Sequence, residues 1–173
     1  MDFYTTIFEV IDMRSFSNLW YWIALALLWS SAAHWTLGVP FDMIQRARRK
    51  GEDAQVDLED ITRINVKRLL MINSVAGLWI LGFVMFMLTT LGLLAFYYSV
   101  EFAQALFLMA LPLSLVGALS VSVARRIDEH GVRGADLIRL LLRHRFWIQV
   151  IGVIAIFFSA LWGMYQNLQL GVL

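Results

Sequence analysis

LLMINSVAGLWILGFVMFMLTTLGLLAFYYSVEFAQALFLMALPLSLVGALSVSVA, residues 69–124, carries one charged side chain, Glu101. As a single helix at about 1.5 Å per residue it is roughly 80 Å long, against a bilayer hydrocarbon core of about 30 Å. One crossing cannot hold it. Tyr97, Tyr98 and Ser99 precede Glu101 and supply a tight turn. Ser99 is the expected N-cap of the next helix, and Glu101 falls in its first turn, where the helix dipole favours an anion. The stretch therefore reads as two membrane spans, 69–97 and 101–124.

Working outward, two further uncharged runs appear, 18–38 and 146–173. Their lengths match a bilayer crossing, and the spans read as 18–38, 69–97, 101–124 and 146–166. The composition agrees. The chain is 60% hydrophobic and 16% charged, whereas a soluble domain carries about 25% charge. The predicted fold class is all-α, a polytopic membrane protein built as a four-helix bundle in one 173-residue domain.

The charges orient it. Of 14 Lys and Arg, seven (Arg46, Arg48, Arg49, Lys50, Arg63, Lys67 and Arg68) lie in the loop 40–68. Six more (Arg125, Arg126, Arg133, Arg139, Arg143 and Arg145) lie in the loop 125–145. The positive-inside rule makes both loops cytoplasmic and both termini external. Trp20, Trp22 and Trp162 then fall near outer span ends and Trp35 and Trp147 near inner ones, where amphipathic rings favour headgroup depth. Trp29 and Trp79 lie deeper and are expected to pack inside the bundle. Residues 1–15 carry Asp2, Glu9 and Asp12 against Arg14, which does not fit a secretory signal. Phe3, Ile7, Val10 and Ile11 recur at helical spacing, so this segment is expected to lie on the outer surface as an amphipathic helix.

The two loops resemble each other. Ala47, Arg48 and Arg49 are followed by DITR at 60–63 and then Lys67. Ala124, Arg125 and Arg126 are followed by DLIR at 136–139 and then Arg143. The offsets suggest two parallel helical-hairpin repeats. Within each loop a helix is expected to run on into the following span, capped by Asp57 in one case and opened by Ala135 in the other. Pro40 opens a separate short helix. Gly152, Ala155, Ser159 and Gly163 form a small-residue stripe in the last span, and Ala110, Ser114, Ala118 and Ser122 form another in the third. Such stripes let helices approach closely, most simply within the bundle.

Chemistry is sparse. The absence of cysteine removes thiolate nucleophiles and thiolate-bound metals. HExxH, GxSxG, GxxxxGK[ST] and similar enzyme motifs are missing, so no catalytic residue is assigned. The basic residues are interleaved with acids at span ends, which does not suit nucleic acid. No Asp, Glu, Lys or Arg sits inside a span, which weighs against ion-coupled transport. Ser30, Ser31, His34, Asn73, Ser74, Ser120, Ser122 and Gln149 gather in the inner halves of the spans. Interhelical hydrogen bonding is the plain reading, and a polar pocket opening to the cytoplasm is the sharper one. His34 and His144, at similar depth on different helices, are the one candidate pair for axial ligation of a b-type haem. Asp128, Glu129 and His130 are adjacent and solvated rather than convergent on a metal.

The opening MDFYTTIFEVIDMRSFSNLWYW and the stretch GVPFDMIQRARR resemble a family of small four-span membrane proteins from photosynthetic and marine alphaproteobacteria. The similarity covers the whole chain. Members are sometimes labelled a component of the SufBCD iron–sulfur assembly complex. The resemblance implies a bacterial inner membrane and a cytoplasmic partner at the basic loops. This chain has no cysteine to hold a cluster and no nucleotide-binding loop. The expected function is a non-catalytic accessory or anchoring subunit without a resident cofactor. Its partners would be membrane lipids, and a cytoplasmic protein or larger membrane complex meeting Arg46, Arg48, Arg49, Lys50, Arg125, Arg126, Arg139 and Arg143. The alternatives are a haem electron-transfer subunit and a small-solute channel or transporter.

Overall fold

In the computed structural model, Phe16 and residues 19–170 are described. The expected amphipathic segment 1–15 lies outside them, as does the side chain of Lys50. Among the described residues the regular structure is helical except for one hairpin of two two-residue strands. Helix α1 is Leu19–His34, followed by strands β1 (Trp35–Thr36) and β2 (Val39–Pro40). Helices α2 (Phe41–Lys50), α3 (Glu52–Gly92), α4 (Glu101–His130) and α5 (Gly134–Leu170) complete it, with a π-helical turn, Leu93–Tyr97, ending α3.

Three helices are long and apolar enough to cross a membrane: Glu52–Tyr97, Glu101–His130 and Gly134–Gln166. α1 has 16 residues, about 24 Å of helix. Only 6% of the most apolar stretch of α3, and the same share of α4, is buried by the rest of the protein. Val75, Leu78 and Trp79 stand almost fully outward. An apolar surface of that extent on a soluble domain would drive association, whereas a lipid environment covers it. Trp79 accordingly belongs to this outer surface and not to the packed interior that its depth suggested.

The main core lies at one end. Val39, Ile44 and Ala47 from the hairpin and α2 meet Leu58 and Val66 of α3, Ala124 and Ile127 of α4, and Leu137, Ile138 and Leu141 of α5. This end also carries the basic residues. Ala47 and Ala124 both bury in this core while Arg48, Arg49, Arg125 and Arg126 are exposed, so the two ARR triplets have the same local burial. Asp60 pairs with Arg63 at 2.9 Å, and Asp136 pairs with Arg139 in the same i,i+3 arrangement. The connections differ: the hairpin and α2 have no counterpart between α4 and α5, which are joined by residues 131–133.

Helix ends explain the turns. α3 begins directly after Gly51, whose φ of 85° suits glycine, so Asp57 lies inside the helix and is not its cap. Pro40 immediately precedes α2 as expected. α4 ends at Gly131 in the left-handed conformation, and the Gly131 amide bonds the Ile127 carbonyl. At the far end Ser99 adopts φ 53°, and Val100 takes the N-cap position of α4 in its place. The π-helical turn causes this shift: the Tyr98 amide reaches the Leu93 carbonyl and the Val100 amide reaches that of Leu94.

A second, smaller core joins α1 to α5. Leu25 and Trp29 pack with Ile148 and Ala155, and Val116 of α4 joins them. A Cβ on Gly152 would sit 2.8 Å from the Trp29 ring, and one on Gly163 would sit 3.3 Å from Phe16. The small-residue stripe of α5 therefore receives α1 and Phe16. The stripe on α4 is different, since Ala118 and Ser122 remain exposed.

Candidate functional site

Two cavities lined by described residues lie at the basic end. The first, about 550 Å³, lies where α3, α4 and α5 converge. Glu59, Asp128, Arg63, Lys67, Arg133 and Thr62 are among its lining residues, so acids and bases are mixed. Two of its acidic groups have structural roles. Glu59 accepts the Gly134 amide at 2.7 Å, satisfying an otherwise free donor at the start of α5, and Asp60 holds Arg63.

The second, about 500 Å³, lies between the end of α1 and α5. It is lined by Ser30, Ser31 and His34 of α1, Trp35 of β1, and Arg145 and Gln149 of α5. Four of the polar residues singled out in the sequence thus do form a pocket. Arg145 and Gln149 are four apart on one helix and share a face. The Arg145 guanidinium carbon sits 3.2 Å from the centroid of the Phe41 ring, a cation–π contact. Among the described residues its Nε is buried without a partner, and no carboxylate lines the cavity. The importance of Arg145 was not legible in the sequence, where it was one of six bases in a loop.

The two histidines go to different places. His34 is exposed at the end of α1, its ring edge-on to Trp35 at 5.7 Å, rather than buried as its position in an uncharged run implied. His144 is 2% exposed and faces α4, with Nε2 3.2 Å from the Ser120 hydroxyl. That hydroxyl donates its one hydrogen to the Val116 carbonyl at 2.8 Å, so it accepts from His144 Nε2–H. Nδ1 is then the unprotonated nitrogen, buried and without a partner. His144 does not line the cavity that holds His34. His130 donates to the Arg126 carbonyl, and among the described residues no group of three or more His, Asp or Glu could hold a metal.

Other inner-half hydroxyls bond their own helices and not a neighbour. Ser74 donates to Met71 and Ser122 to Ala118, the back-bonding that Ser makes inside helices. Two polar anchors had no sequence signal. Asn65 donates to the Gly38 carbonyl at 3.0 Å and ties the hairpin to α3. Gln104, 3% exposed, donates to the Ala95 carbonyl inside the π-helical turn and accepts from Trp162 and Gln166 of α5.

Of the partner-facing residues, Arg46, Arg48, Arg49, Arg125, Arg126, Arg139 and Arg143 are all exposed. Arg139 is engaged by Asp136; the other six form no salt bridge among the described residues. No protein family, curated protein or solved structure matches the chain.

Proposed function

We propose that this is a non-catalytic accessory or anchoring subunit of a bacterial inner membrane. It has four spans with both termini outside, and its basic end binds an acidic cytoplasmic partner, a protein or an anionic lipid surface. The observation that carries the reading is the basic end itself. Exposed arginines from α2, α4 and α5, Arg139 apart, sit on a well-packed apolar core with no ion pair among the described residues. A rigid, unneutralised basic surface is suited to a charged partner, because its orientation is already set before binding. The matched i,i+3 pairs Asp60–Arg63 on α3 and Asp136–Arg139 on α5 support an ancestral hairpin duplication, with the β-hairpin and α2, which carries the first ARR triplet, present in the first copy alone. The resemblance to the proteins labelled SufBCD-associated agrees with a cytoplasmic partner and adds no chemistry.

The test is affinity capture of the full chain from detergent-solubilised membranes. A stoichiometric acidic partner retained by wild type and lost when Arg46, Arg48 and Arg49 are changed to Gln supports the reading. Equal retention by that variant refutes it. Orientation is read from a topology reporter fused at Leu173, which should be active only outside.

A further inference from the structure

The cavity between α1 and α5 contrasts with its neighbour. The first cavity balances its cations with Glu59, Asp60 and Asp128. The second has Arg145, two serine hydroxyls, an imidazole and a carboxamide, and no acid among the described residues. A permanently charged guanidinium partly withdrawn from water is unfavourable without a counter-ion. Arg145 has no salt bridge among the described residues, and its Nε is buried without any acceptor. The Phe41 ring lies against the guanidinium and anchors it beside the cavity. We infer that this cavity is a binding site for a phosphate group, with Arg145 as the charged anchor and Ser30, Ser31, His34 and Gln149 as additional donors.

Phosphate fits better than a carboxylate because the donors come from both sides of the cavity, α1 and α5. A tetrahedral anion with several acceptor oxygens can engage both, whereas a planar carboxylate is satisfied by the guanidinium fork alone. The position favours a lipid as the source. Arg145 directly precedes the uncharged run 146–173, and exposed Trp35 lines the cavity at a headgroup-type position. From the cavity an apolar lane runs along both helices. Leu27 lies one turn before Ser30 and Ser31, Val153 lies one turn beyond Gln149, and each is more than 60% exposed. Acyl chains attached to the phosphate would lie along that lane. The site is separate from the exposed arginine surface and does not depend on the docking reading above.

Binding is measured on the full chain in detergent, by native mass spectrometry and Trp fluorescence titration. The probes are phosphatidylglycerol, diacylglycerol with the same tails, and glycerol phosphate. Phosphatidylglycerol should bind saturably and at least tenfold more tightly than diacylglycerol, with a tenfold or greater loss in Arg145→Gln. Glycerol phosphate binding as tightly as the lipid would also support the phosphate site but assign it to a soluble ligand. Because Arg145 stacks on Phe41, a second variant, Ser31→Ala with Gln149→Leu, leaves that stack intact and should weaken binding several-fold. The inference is overturned if neither phosphate probe depends on Arg145 or on the Ser31 and Gln149 pair.

Discussion

Gly152 is glycine because Trp29 occupies the space of a side chain. A methyl there would sit 2.8 Å from the indole, closer than contacts between unstrained atoms. Gly152→Ala should cost about 1–3 kcal/mol through forced displacement of α1. Trp29→Leu, which vacates that space, should remove most of the added penalty in a double-mutant cycle read by thermal unfolding. Additive effects would show that the two do not touch. Sequence spacing identified the α5 stripe but not its occupant, because small residues accept any neighbour of complementary shape. Arg145 shows the reverse difficulty. Its charge was counted, yet its isolation from acids was invisible, since Asp and Glu are plentiful in the same loops and only folding decides which of them reach it.

At the scale of elements, the join between α3 and α4 is organised by one amide. Gln104 serves the carbonyl of Ala95, the indole N–H of Trp162 and the amide of Gln166. Gln104→Leu leaves these groups unpartnered in an apolar setting and should destabilise the corner by about 1–3 kcal/mol. Hydrogen exchange in residues 93–104 should rise more than in the core of α2. The turn at Tyr97 to Ser99 was readable from tyrosine, serine and the following acid. Its π-helical form was not, because an i→i−5 bond has no residue signature and Ser99 could cap a helix only if the chain had turned one residue earlier. The hairpin offers a parallel case. Leu37 and Gly38 both have positive φ, as a two-residue type I′ connection requires, and Asn65 holds the Gly38 carbonyl. Asn65→Ala should loosen the hairpin by about 1 kcal/mol and increase proteolytic cleavage between Trp35 and Pro40.

For the whole molecule, burial runs opposite to hydropathy. The most apolar segments of α3 and α4 are the least covered, while the charged end holds the main core. Water drives apolar side chains together at that end, but lipid exerts no such drive between helices, so the spans rely on close packing at a few small residues. The cysteine-free chain allows a direct check. Glu129→Cys and Ser99→Cys flank α4, and an impermeant maleimide should label them from opposite sides of a sealed vesicle. Labelling of both from one side would exclude a crossing by α4.

Length and hydropathy were sufficient to make this an all-helical protein with helices long and apolar enough to cross a membrane. These properties depend on averages over twenty residues and survive any detail of packing. Tertiary structure alone brought Ser30, Ser31, His34, Arg145 and Gln149 around one cavity, sent His144 to Ser120, and seated Trp29 on Gly152. The physical reason is rotation. A helix places neighbours about 100° apart, so His144 and Arg145 part company at once, and the face each presents is chosen by the helices packed against it.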